Sequence, residues 1–199
     1  MTQDALECGL ESAAQIIDED QALVAAAKRD AEAAGRLYDK YCGVVLRYIY
    51  RCTCDKHVAE DLTADVFLAT FRNLGRYQWR QIPFRAWLYR VATNEVRMHW
   101  RRQRRVKIVS LQPDSDSQAA GPSASENPAA AEEYRLLHRA LLELRTKYRT
   151  VIILRYFEDR SIAEICEITA TREGTVKSRL HRGLARLQDI LVRWGVLPE

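Results

Sequence analysis

The sequence predicts an all-α chain, two small helical domains joined by a flexible linker, with the C-terminal domain a helix-turn-helix. Three observations carry that prediction. Apolar residues recur every three or four positions from Asp20 to Arg105 and again from Ala131 onward, the spacing of one buried helix face. Eight Gly and five Pro in 199 residues are few for a turn-rich β fold. Residues 110–131 are rich in Ser, Ala and Pro, show no apolar period, and are too long for a connection inside a compact domain. The chain divides into an acidic extension over residues 1–19, a domain over 20–106, a flexible linker over 107–131 and a domain over 132–199.

In the first domain, Leu37, Tyr41, Val44, Val45, Tyr48, Ile49 and Cys52 form one helical stripe. Asp55 is placed to cap the next helix, which buries Val58, Leu62, Val66 and Ala69 and stops near Gly75. Residues 76–82 read as a loop. Pro83 suits the first turn of a third helix, where its missing N–H costs nothing. That helix carries Phe84, Trp87, Leu88, Val91 and Ala92 inward and frays at Arg101–Arg105. Trp87 is read as a core residue.

In the second domain, Leu136, Leu137, Leu141 and Leu144 make one stripe, and Val151–Phe157 a short, strongly apolar helix. Ser161 and Glu164 have the spacing of a capping box, in which hydroxyl and carboxylate each satisfy a free backbone N–H. Thr169–Thr171 is turn-length, and Thr171 is placed to cap the last helix. That helix would bury Val176, Leu180, Leu184, Leu187 and Leu191, leaving Lys177, Ser178, His181 and Arg182 outward. A short helix, a tight turn and a longer basic helix is the arrangement that enters a major groove.

Charge distribution says more than the net value of +4. Residues 1–20 hold six acids and no Lys or Arg, whereas residues 76–105 hold nine Arg and one acid, Glu95. Such lopsided cation density points to a polyanion partner. No apolar run reaches the roughly 20 residues that span a bilayer, and the N-terminus lacks a secretory pattern, so a cytoplasmic protein is expected. Five Cys in helical surroundings argue against a disulfide framework, and Cys52, Cys54 and His57 do not match common zinc spacings, so neither metal nor cofactor is expected. No Gly-rich phosphate loop, nucleophile elbow or dense His/carboxylate cluster marks an enzyme.

Two stretches resemble a known family. Residues 161–187, SIAEICEITATREGTVKSRLHRGLARL, are similar to the fourth conserved region of sigma-70 factors, with Gly174 to Arg182 close to its signature. Residues 61–71, DLTADVFLATF, and 84–94, FRAWLYRVATN, look like the second region. Their order resembles the extracytoplasmic-function group, which keeps these two domains. The resemblance implies an alternative sigma factor without catalysis of its own. It would bind core RNA polymerase, direct it to promoters and help melt the DNA.

The resemblance also implies residue roles. Asp61, Leu62, Asp65 and Phe67 would dock on core RNA polymerase at the clamp helices of its largest catalytic subunit, and the flap region of the polymerase is a further expected contact. The loop with Arg76, Tyr77, Gln78, Trp79 and Arg80, and the stripe Arg90, Asn94, Arg97 and Arg101, would hold the open −10 strand. Arg172, Thr175, Lys177, Ser178, His181 and Arg182 would meet the −35 duplex. An anti-sigma factor is expected as a further partner, and nucleoid association when active. A stand-alone helix-turn-helix regulator is the rival reading. For residues 1–19 two readings stay open: a disordered tail, or a segment that folds back on the Arg-rich helix.

Overall fold

The structure, a computed structural model, describes residues 20–79, 82–109 and 128–198. The predicted extension over 1–19 and residues 110–127 of the predicted linker lie outside the described residues. The described chain is helical: α1 over residues 20–27, α2 Ala31–Thr53, α3 Lys56–Leu74, α4 Phe84–Val109, α5 Pro128–Glu143, α6 Thr146–Tyr156, α7 Ile162–Thr169 and α8 Glu173–Arg193.

Local chemistry sets most boundaries. The Asp30 carboxylate caps α2, accepting from the N–H groups of Glu32 and Ala33. Asp55 caps α3 by accepting from Val58 N. Between them Cys54 sits in the left-handed region at φ 55°, a conformation that ends a helix sharply. Gly75 closes α3 with an ordinary right-handed φ of −59°, so no glycine-specific strain is relieved there. Both halves of the Ser161/Glu164 capping box are present.

Two expectations are corrected. Thr171 does not cap α8; its hydroxyl bonds that of Thr169 at 2.7 Å, and Arg172 occupies the cap position without a side-chain bond. Leu184 is 38% exposed, and the face turned inward is Val176, Leu180, Gly183, Leu187 and Ile190. The reason is close helix approach: a Cβ at Gly183 would stand 3.0 Å from Ile152 Cδ1 and 3.3 Å from Tyr148 Cβ, so α8 turns its glycine toward α6. α4 runs through Val109 and α5 begins at Pro128.

The first three-helix core joins Leu37, Tyr41, Tyr48 and Ile49 of α2 to Leu62 and Val66 of α3 and to Phe84, Leu88 and Tyr89 of α4. Tyr48 is fully buried, yet its hydroxyl is satisfied by Thr93 at 2.8 Å. Asp20, also buried, accepts from the Tyr41 hydroxyl and pairs with Lys40 at 2.9 Å, fixing α1 on α2. In the C-terminal half, Leu141, Val151–Leu154, Ile165, Ile168 and Val176 make the core beneath the helix-turn-helix.

The two halves also pack on each other, which the sequence did not foretell. Arg149 of α6 is only 3% exposed. Its guanidinium donates to the Cys52 carbonyl at 3.1 Å and lies 4.6 Å from the Trp100 ring centroid on α4. Glu158 accepts from Arg51 at 2.5 Å and from the Tyr89 hydroxyl at 2.6 Å, binding α2 and α4 to the turn after α6. Cys54 Sγ stands 3.5 Å from Nδ1 of His138 on α5. Burial, reinforced by the Arg51 cation, holds the His138 imidazole down at about 4.

Candidate nucleic-acid and polymerase interfaces

Three surfaces carry the residues singled out from the sequence. On α3, Asp61 and Asp65 are exposed one turn apart. Leu62 and Phe67 are buried instead; Phe67 meets the Tyr38 ring at 4.7 Å and Phe71 at 6.0 Å, so both residues hold the helix rather than present it. Leu68 is 54% exposed and continues the Asp61/Asp65 face by one more turn. Sequence reasoning passed over it, although its position off the buried stripe was a readable signal.

The second surface is the loop before α4 together with one side of α4. Arg76 and Gln78 are exposed and Trp79 is half-buried. Arg80 lies outside the described residues. Tyr77 is buried: its hydroxyl donates to the Ile82 carbonyl at 2.7 Å, and its ring packs 4.9 Å from Trp87 and 5.7 Å from Phe84. Burial pushes its phenol up. Tyr77 therefore shapes the loop from inside, and Trp87 belongs to the same aromatic cluster.

Along α4, Asn94 and Arg101 are exposed and Arg97 is half-buried. Arg90 is engaged: its Nε donates to the Glu167 carbonyl at 2.8 Å, and the Glu167 carboxylate lies 3.6 Å from its guanidinium. The first helix of the helix-turn-helix thus covers one end of the α4 stripe. The other end lines a groove of about 580 Å³ formed by Asn94, Arg97, Met98, Trp100, Arg101 and Arg104 with Thr146 and Lys147 of α6.

The third surface is the N-terminal half of α8. Arg172, Thr175, Lys177, His181 and Arg182 are exposed, with Ser178 partly so. Lys177 pairs with Glu173 one turn earlier at 2.6 Å; the lysine's hydrogen bond and charge hold the Glu173 carboxyl below its usual value. An open cleft of about 380 Å³ beside them adds Lys147, Tyr148 and Arg179, which the sequence reading omitted. Burial alone would raise the Tyr148 phenol, but Arg186, Lys147 and Arg182 outweigh it and hold it low. That inversion reports how cationic the cleft is, the condition a phosphate backbone rewards.

The Cys-x-Cys-x-x-His run is split by the fold. Cys52 and Cys54 are buried, whereas His57 is exposed and faces Glu60 at 3.9 Å. Burial pushes the two thiols up, Cys52 to about 12 and Cys54 to about 11, so both stay protonated. Among the described residues no group of three His, Cys, Asp or Glu side chains could hold a metal ion. No helix among them is long and apolar enough to cross a membrane.

Comparison with known proteins agrees with this division. Residues 37–106 match the family model "Sigma-70 region 2", and residues 134–187 match "Sigma-70, region 4". The chain is 30% identical over 162 residues to the ECF RNA polymerase sigma factor BldN of Streptomyces coelicolor, a match spanning 81% of this chain and 61% of BldN. It is 30% identical over 172 residues to the ECF RNA polymerase sigma factor SigW of Bacillus subtilis, covering 82% of this chain and 91% of SigW. The solved structure of CnrH in complex with the cytosolic domain of CnrY superposes with a TM-score of 0.64 at 25% identity, covering 87% of this chain and 97% of that one.

Proposed function

The chain belongs to the extracytoplasmic-function group of the sigma-70 family, and we propose that it binds core RNA polymerase, directs it to specific promoters and helps melt them. The observation that carries this reading is two cationic surfaces, one on α8 and one along α4, that meet at Lys147, in a chain whose two halves match regions 2 and 4. A major groove accepts a helix, so α8 suits duplex DNA: Arg172, Lys177 and Arg182 as phosphate or base donors, Thr175, Ser178 and His181 beside them. The α4 side suits an unpaired strand. Arg97 and Arg101 offer charge, Asn94 a base-edge amide, Trp79 a half-open ring, and Arg76 and Gln78 flanking donors.

Holding an unpaired base offsets the cost of unpairing it, so melting needs no nucleotide hydrolysis by this chain. Asp61, Asp65 and Leu68 form the docking face for the basic clamp helices of the polymerase, with Leu62 and Phe67 as its support. The domain boundaries at residues 20–106 and 132–199 follow the same division of labour. A cytoplasmic location goes with that work. An anti-sigma factor is a natural further partner; the similar CnrH was solved with the cytosolic domain of CnrY.

The test is transcription reconstituted with core polymerase on a promoter whose upstream element is intact or scrambled. Lys177→Ala with Arg182→Ala should lose most of the advantage of the intact element while leaving polymerase binding unchanged. Undiminished dependence on that element would remove α8 from the duplex-reading role.

A further inference from the structure

The groove between α4 and α6 has a charge that the described part of the protein does not answer. Arg97, Arg101, Arg104 and Lys147 line it, and among the described residues no ion pair joins any of them to a carboxylate. It is not purely polar. Met98 is 39% exposed at its edge and Trp100 forms part of its wall. Its best occupant is acidic with apolar residues interspersed.

The chain contains such a segment. Residues 1–19 carry Asp4, Glu7, Glu11, Asp18 and Glu19, no Lys or Arg, and the apolar Leu6, Leu10, Ile16 and Ile17. Asp20 is already committed to Tyr41 and Lys40, so the five acids before it are those left to act elsewhere. Nineteen residues reach at most about 60 Å when extended, more than the roughly 40 Å across a folded body of this size. The predicted linker is a weaker candidate, with only Asp114, Asp116 and Glu126 across residues 110–131.

We propose that the acidic segment 1–19 docks in the cationic groove between α4 and α6 and competes there with nucleic acid for Arg97, Arg101, Arg104 and Lys147. The competition rests on α4 being a DNA-binding face, as proposed above; the docking does not. Tethering supplies the segment at an effective concentration in the millimolar range, so individually weak, screened contacts suffice. Nucleic acid displaces it by offering more charge, and promoter engagement exposes the groove fully.

Zero-length carbodiimide crosslinking of the full chain without polymerase tests the docking, because Lys147 is the groove's one amine; as Lys147 also borders the α8 cleft, Arg101→Ala with Arg104→Ala, which alters the groove alone, must lower the yield, and an unchanged yield overturns the proposal. The expected product joins a carboxylate of residues 1–19 to Lys147; Lys147→Arg abolishes it. Absence of that product, or Lys147 joined only to Asp114, Asp116 or Glu126, overturns the proposal. Binding of a short fluorescent single-stranded oligonucleotide tests the competition. A variant with Asp4→Asn, Glu7→Gln, Glu11→Gln, Asp18→Asn and Glu19→Gln should bind about tenfold tighter at low salt, with the gap closing as salt rises. Equal affinities overturn the competition. If the crosslink forms but neither protein binds the oligonucleotide, the docking stands and the DNA-binding reading of α4 falls.

Discussion

Arg149 links the two halves through two contacts at once, and its removal has a calculable cost. The hydrogen bond to the Cys52 carbonyl at 3.1 Å is charge-assisted and buried, a type that contributes about 1.5–3 kcal/mol. The guanidinium over Trp100 at 4.6 Å adds about 1–2 kcal/mol in a desolvated setting. Against these stands the desolvation of the cation, which consumes several kcal/mol of the gross gain. Arg149→Met keeps the aliphatic volume and gives back that desolvation, so the net loss should be about 1–2 kcal/mol. A double-mutant cycle isolates the stacking. Arg149→Met and Trp100→Leu, each measured by urea denaturation, should fail to add by about 1 kcal/mol. Additivity within about 0.3 kcal/mol would mean that the stacked pair contributes nothing and that the two halves are held by other contacts.

The buried His138, faced by Cys54, Arg51, Tyr134 and Phe157, makes stability depend on acid. Its pKa is about 4 when folded against about 6.5 when unfolded, so the folded state binds fewer protons in between. Stability should be full above pH 6.5 and fall by about 2 kcal/mol on going to pH 5, and denaturation of His138→Leu over the same range should lack that component. Gly183→Ala should destabilise the C-terminal half by about 1–3 kcal/mol, read as a lowered melting temperature, since its methyl would press on Ile152 and Tyr148. Asp61→Asn with Asp65→Asn should weaken association with core polymerase about tenfold in a pull-down or interferometry titration, without altering thermal stability, because both carboxylates are exposed.

The sequence disclosed what repeats and, Thr171 apart, what caps. Asp55 and the Ser161/Glu164 pair set helix starts by chemistry that depends on neighbours a turn away, and both stand where the spacing placed them. It misjudged what depends on a partner helix. Leu184 and Leu191 fit the stripe as well as Gly183 and Ile190 do; only the close approach of α6 selects the glycine face. The candidate sites divided the same way. Lys177, His181 and Arg182 are exposed because helix geometry alone turns them outward. Tyr77 looked like an open ring because nothing local reveals that Trp87 and Phe84, ten and seven residues on, close over it. The packing of α6 and α7 on α2 and α4 was invisible for the same reason. Its contacts, such as Arg149 with Cys52, join residues 97 positions apart across a stretch that reads as a spacer.

In the proposed function, α8 and α4 serve one polymerase at one promoter. Purified chain added to bacterial core RNA polymerase on a library of duplex promoters measures it directly. RNA chains should begin at discrete positions, each preceded by a shared pair of sequence elements, and only when the chain is present. Transcripts that start at random, or a chain that binds duplex DNA tightly yet leaves core polymerase unprogrammed, would contradict it.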